Sequence, residues 1–254
     1  MKRYFSYFGI GIFVAFSFYF TDKISTVAFN KNELVKKIKD MQTFYYEEAE
    51  DAKIDLSHNT IIPGKFGKKI NTTESYLNMS DFKIFNEGYL VFDLKKPNIS
   101  LENNKDKFII SGNPKKRNVS LLVADENKFV DYFLSNKIKF SIINKNNTKY
   151  RHFINAASNE TDFKLLNRFA YKSKFCLKHF SIIRLCKKYN YYLIDTNVVL
   201  QREGFNKIKS KIKSGAIIII NNDVTFEDLT LLISEIRFKD LEIVSITKLI
   251  SERE

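Results

Sequence analysis

From Val119 onward the chain repeats one rhythm: a short run of Ile, Leu and Val, then a stretch with apolar residues at helical spacing. VSLLV precedes ENKFVDYFLSNK, KFSII a polar stretch, KFC precedes LKHFSIIRLCKKYN, YYLID precedes GFNKIKSKIKSG, AIIII precedes TFEDLTLLISEI, and LEIVSI precedes TKLISE. A strand that is apolar at nearly every position must be buried on both faces, and an amphipathic helix after each strand supplies the cover. The pattern therefore predicts parallel strands covered by helices, as an incomplete βα barrel or an open α/β sheet. Two helix boundaries carry their own signals: Thr225 with Asp228 is close to a capping box, and Gly215 after KIKS reads as a C-terminal stop.

Residues 51–117 have a different texture. AKIDL, TIIPG, YLVFDL, ISL and FIISG are short β-type runs separated by Gly, Pro, Asn and Lys, with YLNMSDFKIF as one short helix among them. This reads as a small β-rich α+β module. Ahead of it, over residues 29–50, NELVKKIKDMQTFYYEEA places apolar residues at helical spacing and predicts a juxtamembrane helix.

Residues 1–28 set the compartment. After Lys2 and Arg3, the run from Tyr4 to Phe20 is uncharged, and Thr21 and Asp22 close it. At a rise of about 1.5 Å per residue it reaches roughly 26 Å, near the short end of a bilayer core and longer than a usual signal-peptide core. The length favours an uncleaved single-pass anchor over a cleaved signal ending near Thr26, Val27 and Ala28. The leading basic residues place the N-terminus in the cytoplasm and the body, with its α/β region at 118–254, outside the cell.

With 42 Lys and Arg against 29 Asp and Glu, the net charge of +13 predicts attraction to polyanions. A compositional bias toward Lys, Asn, Ile and Phe accounts for the same number. For an exported body the polyanions within reach are lipid headgroups and wall polymers, and no fold signature of nucleic-acid binding is present. Export also permits a disulfide between Cys176 and Cys186, the two cysteines. If the residues between them are helical, their Cα atoms stand roughly 12 Å apart, beyond the reach of a bridge. That reading predicts two buried thiols, with a bridge only if the segment is not helical.

The order of elements from Val119 to the C-terminus, with the residues below, resembles the polysaccharide deacetylase superfamily, the NodB-homology carbohydrate esterases, in a membrane-anchored bacterial form. The resemblance implies an apolar strand ending in an acidic pair, one residue a base and one a metal ligand. It also implies a His-x-x-x-His metal motif and a final apolar strand ending in a catalytic His. A divalent metal there would activate water against an acetamide while base and acid handle the protons. Here LLVADEN supplies Asp125 and Glu126 as the nearest match to the acidic pair. YRHFINAASNETDF supplies His152, but the ligand position falls at about Ala157 and no second His follows. IIIINND puts Asn221 or Asn222 where the acid is expected. The chain thus departs from the family at the positions that carry its chemistry.

His58, His152 and His179 lie in separate segments, and CxxC, HExxH, GxSxG and a Gly-rich phosphate loop are missing from the sequence. Asp125 and Glu126 have a plain alternative role, since acids at a helix start complement its dipole and cap free amides. Asp125, as a weak catalytic candidate, Glu126, Asp195, Asn197 and Asn221 to Asp223 stand at predicted strand ends, where α/β folds gather their sites. Carboxylates and amides there, with Glu126, Asp195 and Asn222 facing a glycan, fit sugar binding better than hydrolysis.

The reading is a membrane-anchored envelope protein whose deacetylase-like domain is catalytically inactive and binds glycan or an anionic envelope polymer, or scaffolds, with no cofactor. The alternative is an active glycan deacetylase with a rearranged site holding a zinc-like divalent metal. A third possibility is a partner for a membrane complex, engaged through the helix at residues 32–46.

Overall fold

The computed structural model describes residues 2–124, 128–143, 154–157, 160, 163–164, 174–178 and 182–253, side chains excepted at 2–13, 15, 124 and 154–156. In chain order the elements are α1 (Lys2–Lys31), α2 (Glu33–Asp40), α3 (Gln42–Tyr45), β1 (Lys53–Asp55), β2 (Thr60–Ile62), β3 (Gly67–Ile70), α4 (Thr72–Ser80), β4 (Phe92–Lys95) and β5 (Phe108–Ile109). They continue with β6 (Asn118–Ala124), α5 (Val130–Ser135), β7 (Ser141–Ile143), β8 (Ile154–Ala157), β9 (Phe175–Leu177), α6 (Ile183–Lys188), β10 (Tyr192–Ile194) and β11 (Val198–Leu200). The last are α7 (Phe205–Ile208), β12 (Ile217–Ile220), α8 (Phe226–Phe238), β13 (Glu242–Ile243) and α9 (Ile246–Ile250).

These elements form two compact units, Met1–Glu48 with Gly67–Lys95, and Ala49–Phe66 with Lys96–Glu254. In the first, α2 is capped by the Asn32 side chain, which accepts from the Leu34 N–H, and buries Leu34, Val35 and Ile38. Leu34 and Ile38, one helical turn apart, pack with Ile70 of β3 and Met79 of α4. β3 and β4 pair antiparallel, from Gly67 opposite Lys95 to Ile70 opposite Phe92. Phe29, near the end of α1, sets its ring edge-on to Tyr76 at 5.2 Å. Among the described residues no helix is long and apolar enough to cross a membrane; most of the Tyr4–Phe20 run falls among the excepted side chains.

The second unit is built on a sheet of strand order β1-β2-β5-β10-β9-β8-β7-β6-β12-β11, with β13 also beside β6. Apart from the antiparallel β1–β2 pair, its neighbours run parallel. Alternate residues serve different cores, one of them formed by Cys176 and Leu193 with Ala157, Phe163 and Tyr191, which is why the strands read as unbroken apolar runs. Leu122, Ile143, Phe175, Ile194 and Ile217 pack with Ile61, Ile109 and with Val244, Ile246 and Leu249 of the C-terminal segment. Leu121, Val123, Ile142, Ile218 and Ile220 face the other way, against Phe133 of α5 and Leu229, Leu232 and Ile236 of α8. Between β5 and β12 there is no ladder but a seam of single contacts: the Gly112 N–H, after β5, donates to the Gly215 carbonyl at 2.8 Å, and the Thr196 hydroxyl, after β10, donates to the Ile217 carbonyl of β12 at 2.6 Å. This is an incomplete βα barrel closed by a seam.

The structure differs from the sequence reading in three places. The change of texture near residue 117 is not a boundary between compact units, because β1, β2 and β5 belong to the barrel sheet, with β5 beside β10. Strands of two or three residues cannot form a stable layer of their own, and joining a larger sheet satisfies them. The helix expected over YLNMSDFKIF starts earlier and ends at Ser80, because the Asn71 side chain accepts from the Glu74 N–H and sets the start there. Cys176 and Cys186 are disulfide-bonded, not free, with Cα atoms 6.3 Å apart. Cys176 lies on β9, and the helix carrying Cys186 begins only at Ile183, so the chain between them is not one helix.

Candidate site at the carboxyl ends of the strands

β10 ends at Ile194, and the next residue, Asp195, donates its N–H to the Ile109 carbonyl at 2.9 Å. Its carboxylate accepts from the Lys178 ammonium at 2.6 Å. Lys178 follows β9, the strand beside β10, and its own N–H donates to the Ile194 carbonyl at 2.8 Å. Parallel neighbours thus deliver an acid and a base at the same level. The ammonium also lies over the Phe108 ring, 5.3 Å from its centre. The pair is partly exposed, so it contributes about 0–1 kcal/mol to stability and acts mainly to orient the two groups.

Asp195 and Asn197 line a cavity of about 500 Å3 on the seam, with Ile62, Ile110, Lys211 and Lys213 around them. Between them, Thr196 holds the turn from both sides: its hydroxyl accepts from the Val198 N–H at 3.2 Å while donating across the seam to Ile217. The Lys211 ammonium reaches the Asn197 carbonyl at 3.4 Å. A rigid rim of one carboxylate, amide groups and lysines over an apolar floor can hold hydroxyl-rich or anionic ligands.

The other predicted residues are placed elsewhere. Asn222 is exposed in the turn after β12 and is not among the residues lining this cavity. Beside it, Asp223 accepts from the Arg202 N–H at 3.3 Å. Asp228 is pushed up by burial, but hydrogen bonds from the Thr225 hydroxyl and the Glu203 N–H outweigh this and hold its carboxyl below the usual range. That makes Thr225 and Asp228 a working helix start, as the sequence indicates. Asp125, Glu126, His152 and His179 lie outside the described residues. His58 sits exposed in the β1–β2 turn, its Nδ1 2.7 Å from an Asp55 carboxylate oxygen and 2.9 Å from the Ser57 hydroxyl. Among the described residues no group of three or more His, Cys, Asp and Glu side chains could hold a metal ion. Sequence reasoning missed Lys178: its place just past an apolar strand run marks a strand end, but its pairing with Asp195 depends on β9 and β10 being neighbours.

No family model matches the chain. The curated "Uncharacterized protein YlxY" of Bacillus subtilis is 32% identical over 111 residues, 43% of this chain. That match spans about a third of the relative's length, 34%. Among solved structures, wild-type BA3943, described as a CE4 family pseudoenzyme from Bacillus anthracis, aligns with a TM-score of 0.60 at 17% identity. The alignment covers 87% of this chain and 96% of that one. A BA3943 mutant described as having restored enzymatic activity aligns equally well, with a TM-score of 0.60 at 18% identity, over 87% and 99% of the two chains. The likeness shows that the chain has the polysaccharide-deacetylase-like fold.

Proposed function

We propose that the chain is a membrane-anchored envelope protein whose deacetylase-like barrel no longer catalyses and instead binds glycan or an anionic wall polymer, or scaffolds at the membrane. The observation that carries this reading is at β12. This apolar strand ends at Ile220 and is followed by Asn221 and Asn222, where the family resemblance expects a catalytic histidine. An amide holds hydrogen bonds but exchanges no proton near neutral pH, so general acid catalysis has no group at that position. The description of BA3943 as a pseudoenzyme supports the same direction.

The ligand groove is the seam cavity, with Asp195 and Asn197 as hydrogen-bonding groups, Lys211 and Lys213 attracting anionic substituents, and Lys178 holding the Asp195 carboxylate in place. The uncharged run from Tyr4 to Phe20 within α1 serves as the anchor, with the body on the outer face.

Co-sedimentation of the full chain in detergent with insoluble cell-wall glycan tests the binding. The chain is expected in the pellet, with Asp195→Ala shifting at least about tenfold toward the supernatant through a lost charged hydrogen bond. A chain that ignores the glycan but co-purifies with a membrane protein would replace binding by scaffolding. Deleting residues 4–20 is expected to release the chain from the membrane fraction, and retention of the deleted form would remove the anchor from the account.

A further inference from the structure

Strand β10 runs between two cavities of the same unit. Asp195 marks its carboxyl end, while Tyr192, at its amino end, lines a second cavity of about 520 Å3 together with Phe66, Lys96, Glu102, Glu252 and Arg253. Glu252 is only 8% exposed. One of its carboxylate oxygens, Oε1, accepts the N–H groups of Gly64 at 3.0 Å and Leu101 at 2.8 Å. Among the described residues, Oε2 takes part in no hydrogen bond or ion pair, so half of a buried carboxylate has no partner where it borders open space.

The cations of this cavity are not equivalent. The Lys96 ammonium is taken by Glu102 at 3.0 Å. The Arg253 guanidinium lies over the Phe66 ring, 5.2 Å from its centre, and has no carboxylate partner among the described residues. The cavity therefore holds one anion and one cation, adjacent in sequence, neither of them in a direct ion pair among the described residues: Lys96 acts on Glu252, and Glu102 on Arg253, only at a distance. Burial pushes the Glu252 carboxyl up, and the Leu101 and Gly64 N–H groups and the more distant Lys96 charge offset this only in part. Burial likewise raises the Tyr192 phenol, with the Glu102 and Glu252 charges adding to it, and the Lys105 ammonium lies over the Tyr192 ring, 4.9 Å from its centre.

We propose that this cavity is a second ligand site, separate from the seam groove, and that it binds a small zwitterion of the α-amino acid class. The ammonium of the ligand is held by Glu252 Oε2 next to the Tyr192 ring. Its carboxylate is taken by Arg253, whose planar fork suits a two-point contact and is already oriented by Phe66. Such a ligand meets both Glu252 and Arg253, whereas a simple amine leaves Arg253 unmet and a simple anion leaves Glu252 unmet.

Saturation-transfer NMR and calorimetric titration of the full chain in detergent, with alanine, ethylamine and acetate as probes, test this. Alanine is expected to bind, and ethylamine and acetate to bind at least about tenfold more weakly, the cost of leaving one charged partner unmet. Glu252→Gln keeps an acceptor for the Gly64 and Leu101 N–H groups and removes the charge; it should weaken alanine binding at least about tenfold. Arg253→Gln, on an exposed side chain, should do the same and serves as the second variant if the first shifts the urea midpoint. Absence of alanine binding overturns the proposal, as do equal affinities for alanine and acetate, or full affinity retained in both variants.

Discussion

Glu252 shows how much one side chain near the end of a chain can hold. Its Oε1 satisfies backbone N–H groups at Gly64 and Leu101, residues 188 and 151 positions away in sequence. Glu252→Ala leaves both donors buried without a partner and is expected to cost about 1–3 kcal/mol, read from the urea midpoint. Glu252→Gln, which keeps an acceptor, should cost far less. The pH dependence has a definite sign. Burial holds this carboxyl above the ordinary glutamate value of 4.5, so the folded chain binds its proton more tightly than the unfolded chain. Its contribution to stability is full below about pH 4.5 and is lost as pH rises through the raised folded value. The wild-type chain should therefore lose stability relative to Glu252→Gln as pH rises above about 4.5, and a constant difference would argue against this burial. Nothing in SERE announces such a role, because it depends on partners brought in by the fold. Asp195 was legible, since a carboxylate directly after an apolar strand run belongs at a strand end. Its partner Lys178 required knowing that β9 and β10 are neighbours.

At the scale of elements, the seam and the disulfide replace regularity that the sequence pattern implies but the barrel lacks. Gly215 has φ +87°, and a Cβ there would lie 2.4 Å from the Gly112 carbonyl oxygen, at the seam between the segment after β5 and the start of β12. Gly215→Ala should therefore cost at least about 1–3 kcal/mol through a strained φ and a forced opening of the seam. An unchanged urea midpoint would show that the seam is not a closing contact. The sequence marks Gly215 as a helix stop; its role here is close approach to Gly112, which local pattern cannot show. The Cys176–Cys186 bridge ties β9 to α6 across a sequence separation of 10 residues. Chain-entropy reasoning assigns it about 3 kcal/mol. Alkylation followed by intact-mass analysis should find both sulfurs protected until the chain is unfolded and reduced, and a folded chain that takes up two alkyl groups would contradict the bridge. The helical reading of LKHFSIIRLCKK hid this pairing, since apolar spacing cannot tell a full helix from a strand, a connection and a short helix.

At the scale of the whole molecule, the alternation of apolar strands and amphipathic helices was enough to place residues 118–254 in a parallel α/β class, because such strands need cover on both faces. What alternation could not show is that short runs from residues 51–117 complete the same sheet, leaving α2, α4, β3 and β4 in a separate unit. Two- and three-residue strands carry too little pattern to reveal their partners. The account rests on a deacetylase-like barrel that has kept its scaffold while strand β12 leads into the amides Asn221 and Asn222 where the resemblance expects a histidine. The measurement that tests this most directly is acetate release from N-acetylated glycan oligomers by the full chain in detergent, with zinc supplied. The account expects no release above that of zinc in buffer. Release well above that background, abolished in Asp125→Ala, would contradict it and establish an active deacetylase with a rearranged site.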